Sequence, residues 1–339
     1  MKRDNKKVIY WLFTGCALIF IMVVVGGITR LTHSGLSIPD YKLISGTIPP
    51  INDQQWQEAF DLYKQYPEYQ KLNSKISLNE FKGIFFWEWL HRVIGKSIGI
   101  VFIIPFVYFL ITRQLKKSTI KKTLILLFLG GFQGFLGWYM VKSGLIDKPD
   151  VSHYRLAAHL TTAFVTFSFT LWVALDLIFP IKKKLINKTF RNLIRTSLII
   201  LFIQIIYGAF VAGLDAGFIH NHWPMMSEGK FMHETVLIEK TPTYKNFIEG
   251  RSGVQFVHRI LAFIVVFLIL IIYLKGKKIA ISKQQLIGLN SLIILVGFQS
   301  ILGVLTILLQ VPLWLGIAHQ IGAFFLLSSM TFTLHRFSK

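Results

Sequence analysis

Eight long apolar segments are the feature that most constrains the fold of this 339-residue chain. A helix needs about 20 predominantly apolar residues to cross the roughly 30 Å hydrocarbon core of a bilayer. Segments of this length lie near residues 8–29, 84–112, 121–142, 155–179, 192–214, 252–274, 284–309 and 313–335. Only 16% of the residues are charged, against about 25% in soluble globular proteins. The sequence therefore predicts an all-α polytopic membrane protein with eight transmembrane helices.

The basic residues are sorted by side of the membrane. The formal net charge is +21, and 21 of the 37 Lys and Arg residues lie in alternate connectors and the two ends: 2–7, 113–122, 182–195, 275–283 and the C-terminal tail. Because positive residues favour the cytoplasmic side, both termini are predicted to be cytoplasmic. The charge excess thus follows topology and contact with a lipid bilayer, which argues against nucleic-acid binding.

The N-terminal apolar run predicts a retained helix. It continues directly into GGITRLTHSG, without the small-residue pattern of a cleavage site. An Arg-rich presequence is also missing ahead of it. These features favour a bacterial plasma membrane over an imported organellar protein.

The two halves of the chain, residues 1–180 and 181–339, resemble each other. Gly26 and Gly35 are matched by Gly208 and Gly217 at the same spacing. HRVIG from residue 91 is matched by HRILA from 258, and GFQGFLG at 131–137 by GFQSILG at 297–303. Four crossings return the chain to its starting side, so the halves are predicted to be parallel repeats forming two four-helix bundles.

Two long outer loops, 30–83 and 215–251, separate the first two helices of each half. Ordered loops of this length commonly act as lids or binding elements. Within the first, residues 53–66 form an amphipathic pattern. This pattern predicts a short helix that either rests on lipid headgroups or covers a pocket.

Four histidines recur at matching places in the two halves: His91 with His258, and His159 with His319. Each is predicted four to seven residues inside the outer end of its helix, about 6–10 Å deep. Ionisable side chains within a bilayer are costly, so they tend to face the bundle interior and mark a function. Two imidazoles facing each other in a helical bundle can hold haem iron through both axial positions. Each half is therefore predicted to bind one haem through its histidine pair.

A metal ion without a macrocycle fits the histidine pairs less well than haem, because two histidines per half supply too few ligands for zinc or copper.

Other polar residues near these histidines have simpler assignments. Arg92 and Arg259 follow the first histidine of each pair, and either neutralise haem propionates or reach lipid phosphates. Four repeated residues are assigned to helix packing and interhelical hydrogen bonds: Gly137, Gly303, Gln133 and Gln299. Six histidines without a repeat partner are expected at the solvated surface: His33, His153, His220, His222, His233 and His335.

The two halves differ three residues before the paired histidines. Glu88 precedes His91, whereas Gln255 precedes His258. At this spacing the carboxyl and the imidazole share one helix face, so Glu88 should lie near the group that His91 binds. A carboxyl between Trp87 and Trp89 would suit proton transfer there, although a boundary glutamate facing water is the alternative. One acid in one half suggests that the first half reacts and the second transfers electrons.

Six strings together resemble the haem A synthase family over nearly the whole chain: GGITRLTHSGLSIPDYKLISGTIPP (26–50), WEWLHRVIGK (87–96), HYRLAAHL (153–160), GAFVAGLDAG (208–217), FVHRILA (256–262) and GIAHQIGA (316–323). The resemblance implies an eight-helix membrane oxidoreductase that converts haem O into haem A by two hydroxylations of one ring methyl and loss of water. It further implies that His258 and His319 ligate a haem b cofactor. By the same resemblance His91 and His159 flank the substrate haem, and Glu88 is the essential acid.

The resemblance also implies partners. Haem O synthase would act upstream, and haem-copper oxidases would receive the product. Many bacterial members carry a cysteine pair in the first outer loop, but residues 30–83 contain no cysteine. The loop instead resembles the mitochondrial and proteobacterial type. The membrane electron donor therefore stays unidentified, and a homo-oligomer stays open.

Two other functions compete with this one. A di-haem b-type cytochrome acting as a quinol oxidoreductase would also place histidine pairs in a bundle, but would leave the macrocycle unchanged. A two-repeat transporter would use the histidines to relay protons and would contain no haem. Neither accounts for the strings in the outer loops.

Overall fold

The computed structural model describes residues 5–39, 47–145, 150–179, 187–280 and 282–338. The string at 26–50 and the basic connectors at 2–7, 182–195 and 275–283 therefore lie partly outside the described residues. The chain divides into two compact units, Thr14–Thr166 and Met1–Phe13 with Phe167–Lys339. The predicted division into sequence halves at residue 180, and their arrangement as two bundles, stay predictions.

The described residues form α-helices, short 3₁₀ turns and loops. In chain order the helices are α1 (Asn5–Leu31), α2 (Asp53–Tyr63), α3 (Pro67–Lys71), α4 (Leu78–Ile111), α5 (Lys117–Gly144), α6 (His153–Ile178), α7 (Lys188–Gly213), α8 (Thr235–Ile238), α9 (Asn246–Glu249), α10 (Arg251–Ile279), α11 (Lys283–Leu308) and α12 (Leu313–Ser338). Eight of them are long and apolar enough to cross a bilayer: α1, α4, α5, α6, α7, α10, α11 and α12. The predicted all-α class of a multi-pass membrane protein is confirmed.

Helix α4 begins six residues before the predicted start of its span. A capping box sets this start, because the Ser77 side chain accepts from the Glu80 backbone and the Glu80 carboxyl accepts from the Ser77 backbone. With 34 residues, α4 is about 51 Å long, well beyond the roughly 30 Å hydrocarbon thickness. Its first turns therefore extend beyond the hydrocarbon core, where segments of the outer loop can pack on them.

In the unit Thr14–Thr166, the predicted amphipathic helix exists as α2 and packs on those first turns of α4. Phe60 and Tyr63 of α2 are buried with Phe81 and Phe85 of α4 in one cluster. Ring centroids of Tyr63 and Phe81 lie 5.1 Å apart. Because its apolar face is covered by α4, α2 does not rest on headgroups through that face.

In the other unit, the second outer loop is organised around Asn246. Its side-chain amide, fully buried, donates to the carbonyls of Leu237, Lys240 and Thr243, and its oxygen accepts from the Lys240 backbone at 2.6 Å. Gly253 of α10 packs so closely on this turn that an added Cβ would collide with the Asn246 carbonyl. This part of the loop therefore packs directly against the start of α10.

The expectation of a solvated surface is wrong for one histidine, His335. His335 is fully buried at the end of α12, where its Nε2 lies 3.0 Å from Asp176 of α6 and its ring packs on Trp172. His220 is half-buried and its ring lies 4.7 Å from that of His233. Burial lowers the pKa of His220 to about 4, and the charges of His233 and Arg259 add to this shift. The helix packing that buries His335 has no signature in the local sequence.

Candidate functional site

Each of the four repeated histidines packs against a glycine of a neighbouring long helix. A Cβ added to Gly26 of α1 would lie 3.1 Å from Nε2 of His91, and one added to Gly137 of α5 would lie 3.2 Å from Cε1 of His159. In the other unit, the matching distances are 3.3 Å from Gly208 to Cε1 of His258 and 2.9 Å from Gly303 to Cε1 of His319. Every imidazole therefore occupies space that only a glycine leaves free.

This contact repeats in the same order as the sequence. Gly26 and Gly208 are equivalent in the internal repeat, and so are Gly137 and Gly303. Gly137 and Gly303 are expected to permit close packing, and the group that packs against each of them is a histidine imidazole. Other glycines of the same helices have open space at the Cβ position: Gly130, Gly131, Gly134 and Gly297.

The repeated glutamines hold the same histidines. Gln133 donates to the backbone carbonyl of His159 at 2.8 Å, and Gln299 donates to that of His319 at 3.0 Å. The Gln299 amide also lies 3.2 Å from Nδ1 of His319. Their assignment to interhelical hydrogen bonds is consistent with these contacts, since each glutamine joins two neighbouring helices.

Each unit contains two of these histidines: His91 and His159 lie in one, and His258 and His319 in the other. Nδ1 of His159 and Nδ1 of His258 are buried without a hydrogen-bond partner among the described residues. Buried polar atoms in this state call for an explanation, such as a ligand that completes the site. Among the described residues no three His, Cys, Asp or Glu side chains converge on a metal-ion site.

This donor set fits haem better than a bare metal ion. Haem iron needs two axial ligands from the protein, whereas structural zinc needs four. The four imidazoles are nitrogen donors within apolar helices, two in each unit, and each packs against a glycine. The assignment of individual histidines to a cofactor haem or a substrate haem stays a prediction.

Glu88 is buried, with 3% of its surface exposed, and its carboxyl binds the first outer loop. Its Oε2 accepts from the Ser37 hydroxyl at 2.7 Å and from the Ile38 backbone at 2.8 Å. Its Oε1 lies 2.6 Å from Arg92, which also donates to the Ile38 carbonyl. Buried and bound by three donors, the Glu88 carboxyl is not a boundary group facing water.

In the second unit the side chains at the equivalent positions also bind the outer loop, but they donate hydrogen bonds to it, whereas Glu88 accepts them. Gln255 donates to the carbonyl of Ala216, and Arg259 donates to the carbonyls of His220 and His222. Nε of Arg259 is buried without a partner in the described part of the chain. The difference between Glu88 and Gln255 thus matches a difference in the loops, which offer donors to the first and acceptors to the second. The predicted role of Arg92 and Arg259 toward propionates stays untested.

A second contact fastens the first outer loop to α4. The Thr47 carbonyl accepts from the Trp89 indole at 3.0 Å, and the Thr47 hydroxyl accepts from Lys96 at 3.2 Å. The loop is therefore bonded to α4 on both sides of residues 40–46. Sequence reasoning missed Ser37 and Thr47, because a hydroxyl in a loop carries no signal of the helix that it contacts.

Known proteins resemble this chain over nearly its whole length. The family model COX15-CtaA, described as cytochrome oxidase assembly protein, matches residues 9–331. A protein of Flavobacterium johnsoniae named "Heme A synthase" is 60% identical, with 100% of each chain covered. Proteins of the same name from Nitrosospira multiformis and Wolbachia pipientis are each 42% identical, covering 98% of this chain and 93% of their own. With its paired histidines and eight spans, this chain belongs to the COX15-CtaA family of cytochrome oxidase assembly proteins.

Proposed function

We propose that this chain is a haem A synthase, a membrane oxidoreductase that converts haem O into haem A by oxidising one ring methyl to a formyl group. The observation that carries the proposal is the set of four intramembrane histidines, each seated on a glycine at matching positions of the repeat. The family match and the relatives named "Heme A synthase" support the same activity.

The second half holds a haem b cofactor. His258 and His319 would hold it, and haem b, when bound, would supply one-electron redox chemistry at its iron. The unpartnered Nδ1 of His258 and the packing of the two imidazoles against Gly208 and Gly303 support this assignment. Arg259 contributes to binding the propionates through its buried Nε.

The first half binds haem O as substrate. His91 and His159 flank the macrocycle, and Arg92 lies on the same helix as His91 to meet a propionate. Glu88 is the catalytic acid, one helical turn before His91. Ser37, Ile38 and Arg92 hold its carboxyl in place, so that it takes up or delivers a proton at a fixed position.

Charge and predicted topology support the location. The protein lies in a bacterial plasma membrane with both termini cytoplasmic. A haem O synthase supplies its substrate, a membrane electron carrier serves the haem b half, and haem-copper oxidases receive the product.

The test is expression in a cell that makes haem O but not haem A, followed by chromatography of the extracted haems. Haem A is expected to appear with the unaltered chain. A macrocycle that stays unchanged would refute the proposal and favour a di-haem electron carrier.

Two sets of variants assign the roles. Glu88→Gln should keep haem bound to the purified protein but lose haem A production, and normal turnover would return Glu88 to a structural role. His258→Ala and His319→Ala should each reduce the haem b recovered with the protein. Full haem b content in both variants would exclude His258 and His319 as its ligands.

A further inference from the structure

Arg155 is a cation of α6 that the internal repeat does not reproduce. It lies four residues before His159, and the matching position before His319 holds Leu315. Leu315 is 1% exposed, whereas Arg155 is half-buried. Residues four apart share one face of a helix and are separated by about 6 Å along its axis. Arg155 therefore lies one turn from His159, toward the start of α6, which is its predicted outer end.

The Arg155 guanidinium is held in place by α5. Its Nη1 donates to the Tyr139 carbonyl at 2.7 Å, and its Cζ lies 3.7 Å from the centroid of the Tyr139 ring. Gly137, two positions earlier on α5, packs against the His159 ring. The same stretch of α5 therefore contacts both side chains. The residue that matches Tyr139 in the second half is Leu305, so this contact is specific to the first half.

The two arginines near the histidines of the first half differ in what they bind. Arg92 donates through Nη2 to Glu88 and to the Ile38 carbonyl, each at 2.6 Å, so its charge is compensated by a buried carboxyl. In the ranges that the structure describes, Arg155 forms no ion pair, and only its Nη1 has a hydrogen-bond partner. The remaining donors of Arg155 are therefore available to an anion.

The formal charge near the paired histidines is the same in both halves. Within four residues of these histidines the first half contains Arg92, Arg155 and Glu88, which leaves a formal charge of +1. The second half contains Arg259 there, which again gives +1. Arg259 binds backbone carbonyls and the Gln255 side chain, so among the described residues no carboxyl compensates it. The acid that distinguishes the first half is thus accompanied by an additional arginine, and the uncompensated cation lies on α6 instead of α10.

We propose that Arg155 binds a propionate carboxylate of the haem in the first half and so selects a porphyrin with free carboxylates. Haems carry two propionates, and charged groups within a bilayer require charged or polar partners. A fixed guanidinium suits a carboxylate, because the two groups can pair through parallel hydrogen bonds. The inference rests on the proposed function, in which haem O lies between His91 and His159. Arg155 is then a specificity-determining residue, while Arg92 holds Glu88 in position.

Two other residues provide the comparisons that the proposal needs. A lipid phosphate is the alternative anion for a cation near a membrane boundary. Lys142 is an exposed cation at the same end of α5, with Nζ 5.1 Å from the Trp138 ring centroid, and would meet the same phosphates. Lys96 of α4, five residues after His91, is the alternative cation if the propionates point toward the other side of the membrane.

The test is an optical titration of the purified full chain with haem O and with haem O dimethyl ester, in phosphatidylcholine nanodiscs. The chain is purified with its haem b from cells that make no haem O. Arg155→Gln should weaken the binding of haem O about tenfold. Esterification should weaken binding to the unaltered chain, and this effect should be about tenfold smaller in Arg155→Gln. Lys142→Gln should change neither affinity.

Conservative variants separate a propionate contact from a structural role. Arg155→Lys keeps the charge but not the planar fork, so it should recover part of the haem O affinity. Tyr139→Leu removes the ring under the guanidinium and should weaken haem O by about two- to fivefold. Tyr139→Phe keeps both the ring and the backbone carbonyl and should bind as the unaltered chain does. Thermal unfolding, measured in parallel, shows whether each variant is folded.

Three results would overturn the proposal. The first is equal haem O affinity in the unaltered chain and Arg155→Gln, which would leave Arg155 to lipid phosphates. The second is an equal effect of esterification in both. The third is a loss of affinity in Lys96→Gln with none in Arg155→Gln.

The outcome for Arg155 is separable from that for the proposed function. If Arg155→Gln does not fold, Arg155→Lys and Tyr139→Leu carry the test, and both should reduce the effect of esterification. A chain that binds haem O but makes no haem A would refute the proposed function and leave the binding result standing. A chain that makes haem A but binds haem O and its ester equally would refute the role of Arg155 alone.

Discussion

Gly303→Ala tests whether the glycines set the positions of the histidine rings. The added methyl carbon would lie 2.9 Å from Cε1 of His319 and 3.5 Å from its Nδ1. Carbon atoms pack at about 3.5–4.0 Å, so the ring must retreat by about 0.6 Å or the helices must separate. Gln299 holds the backbone carbonyl of His319, so rotation of the ring is the available response.

The expected magnitude follows from two opposing effects on stability. Alanine gains up to about 1 kcal/mol over glycine in a helix, while overpacking costs about 1–3 kcal/mol. The fold should therefore survive with a loss of at most about 3 kcal/mol. In the proposed function His319 ligates haem iron. Because metal–ligand distances tolerate only about 0.2 Å, the strain would fall on that bond. A loss of about 1–3 kcal/mol there weakens haem binding by about 5- to 150-fold.

The assay is the haem b content and absorption spectrum of the purified protein, with thermal unfolding measured in parallel. Gly297→Ala in the same helix is the control, because an added methyl there meets no atom within 4 Å. Gly208→Ala, with a contact of 3.3 Å, should give a smaller loss than Gly303→Ala. Equal haem content and equal spectra in Gly303→Ala and Gly297→Ala would refute the reasoning.

Three other predictions concern the outer loops. Ser37→Ala removes a hydrogen bond of 2.7 Å to Glu88 and should lower haem A production about tenfold, since bonds to charged groups contribute about 1.5–3 kcal/mol; unchanged production would exclude a positioning role. Asn246→Asp replaces an amide that donates to three carbonyls with a carboxylate, and should make the second outer loop sensitive to limited proteolysis, whereas equal cleavage rates would contradict the role of this side chain. The pKa of His220 lies near 4 in the folded protein and about 6.5 when unfolded, so stability should fall as pH drops from 6.5 to 4. Thermal unfolding across this range should show a smaller loss in His220→Gln, and equal losses would exclude His220 as the cause.

The spans, the repeat and the paired histidines could be predicted from the sequence. Hydrocarbon thickness sets helix length, so apolar runs such as 192–214 located α7 within a few residues. The start of α4 differed more, because its capping box at Ser77 lies in a polar region that hydropathy does not detect. The repeat singled out His91, His159, His258 and His319 because it supplied an internal comparison. The family resemblance depended on the same motifs and is confirmed by the family match.

The surroundings of Glu88 required the tertiary structure. The sequence alone identifies the Glu88 carboxyl as a difference between the two halves. It does not reveal the partner Ser37, which lies 51 positions away and reaches Glu88 only because the loop folds back on α4. Likewise, the sequence shows the four glycines only as small residues. Their contacts with the histidine rings are visible only in the packed helices. Local sequence determines which segments enter the membrane, because that partition depends on composition and length alone. Contacts between distant segments depend on how helices and loops approach each other, so the tertiary structure decides which hydroxyl, amide or glycine completes the site.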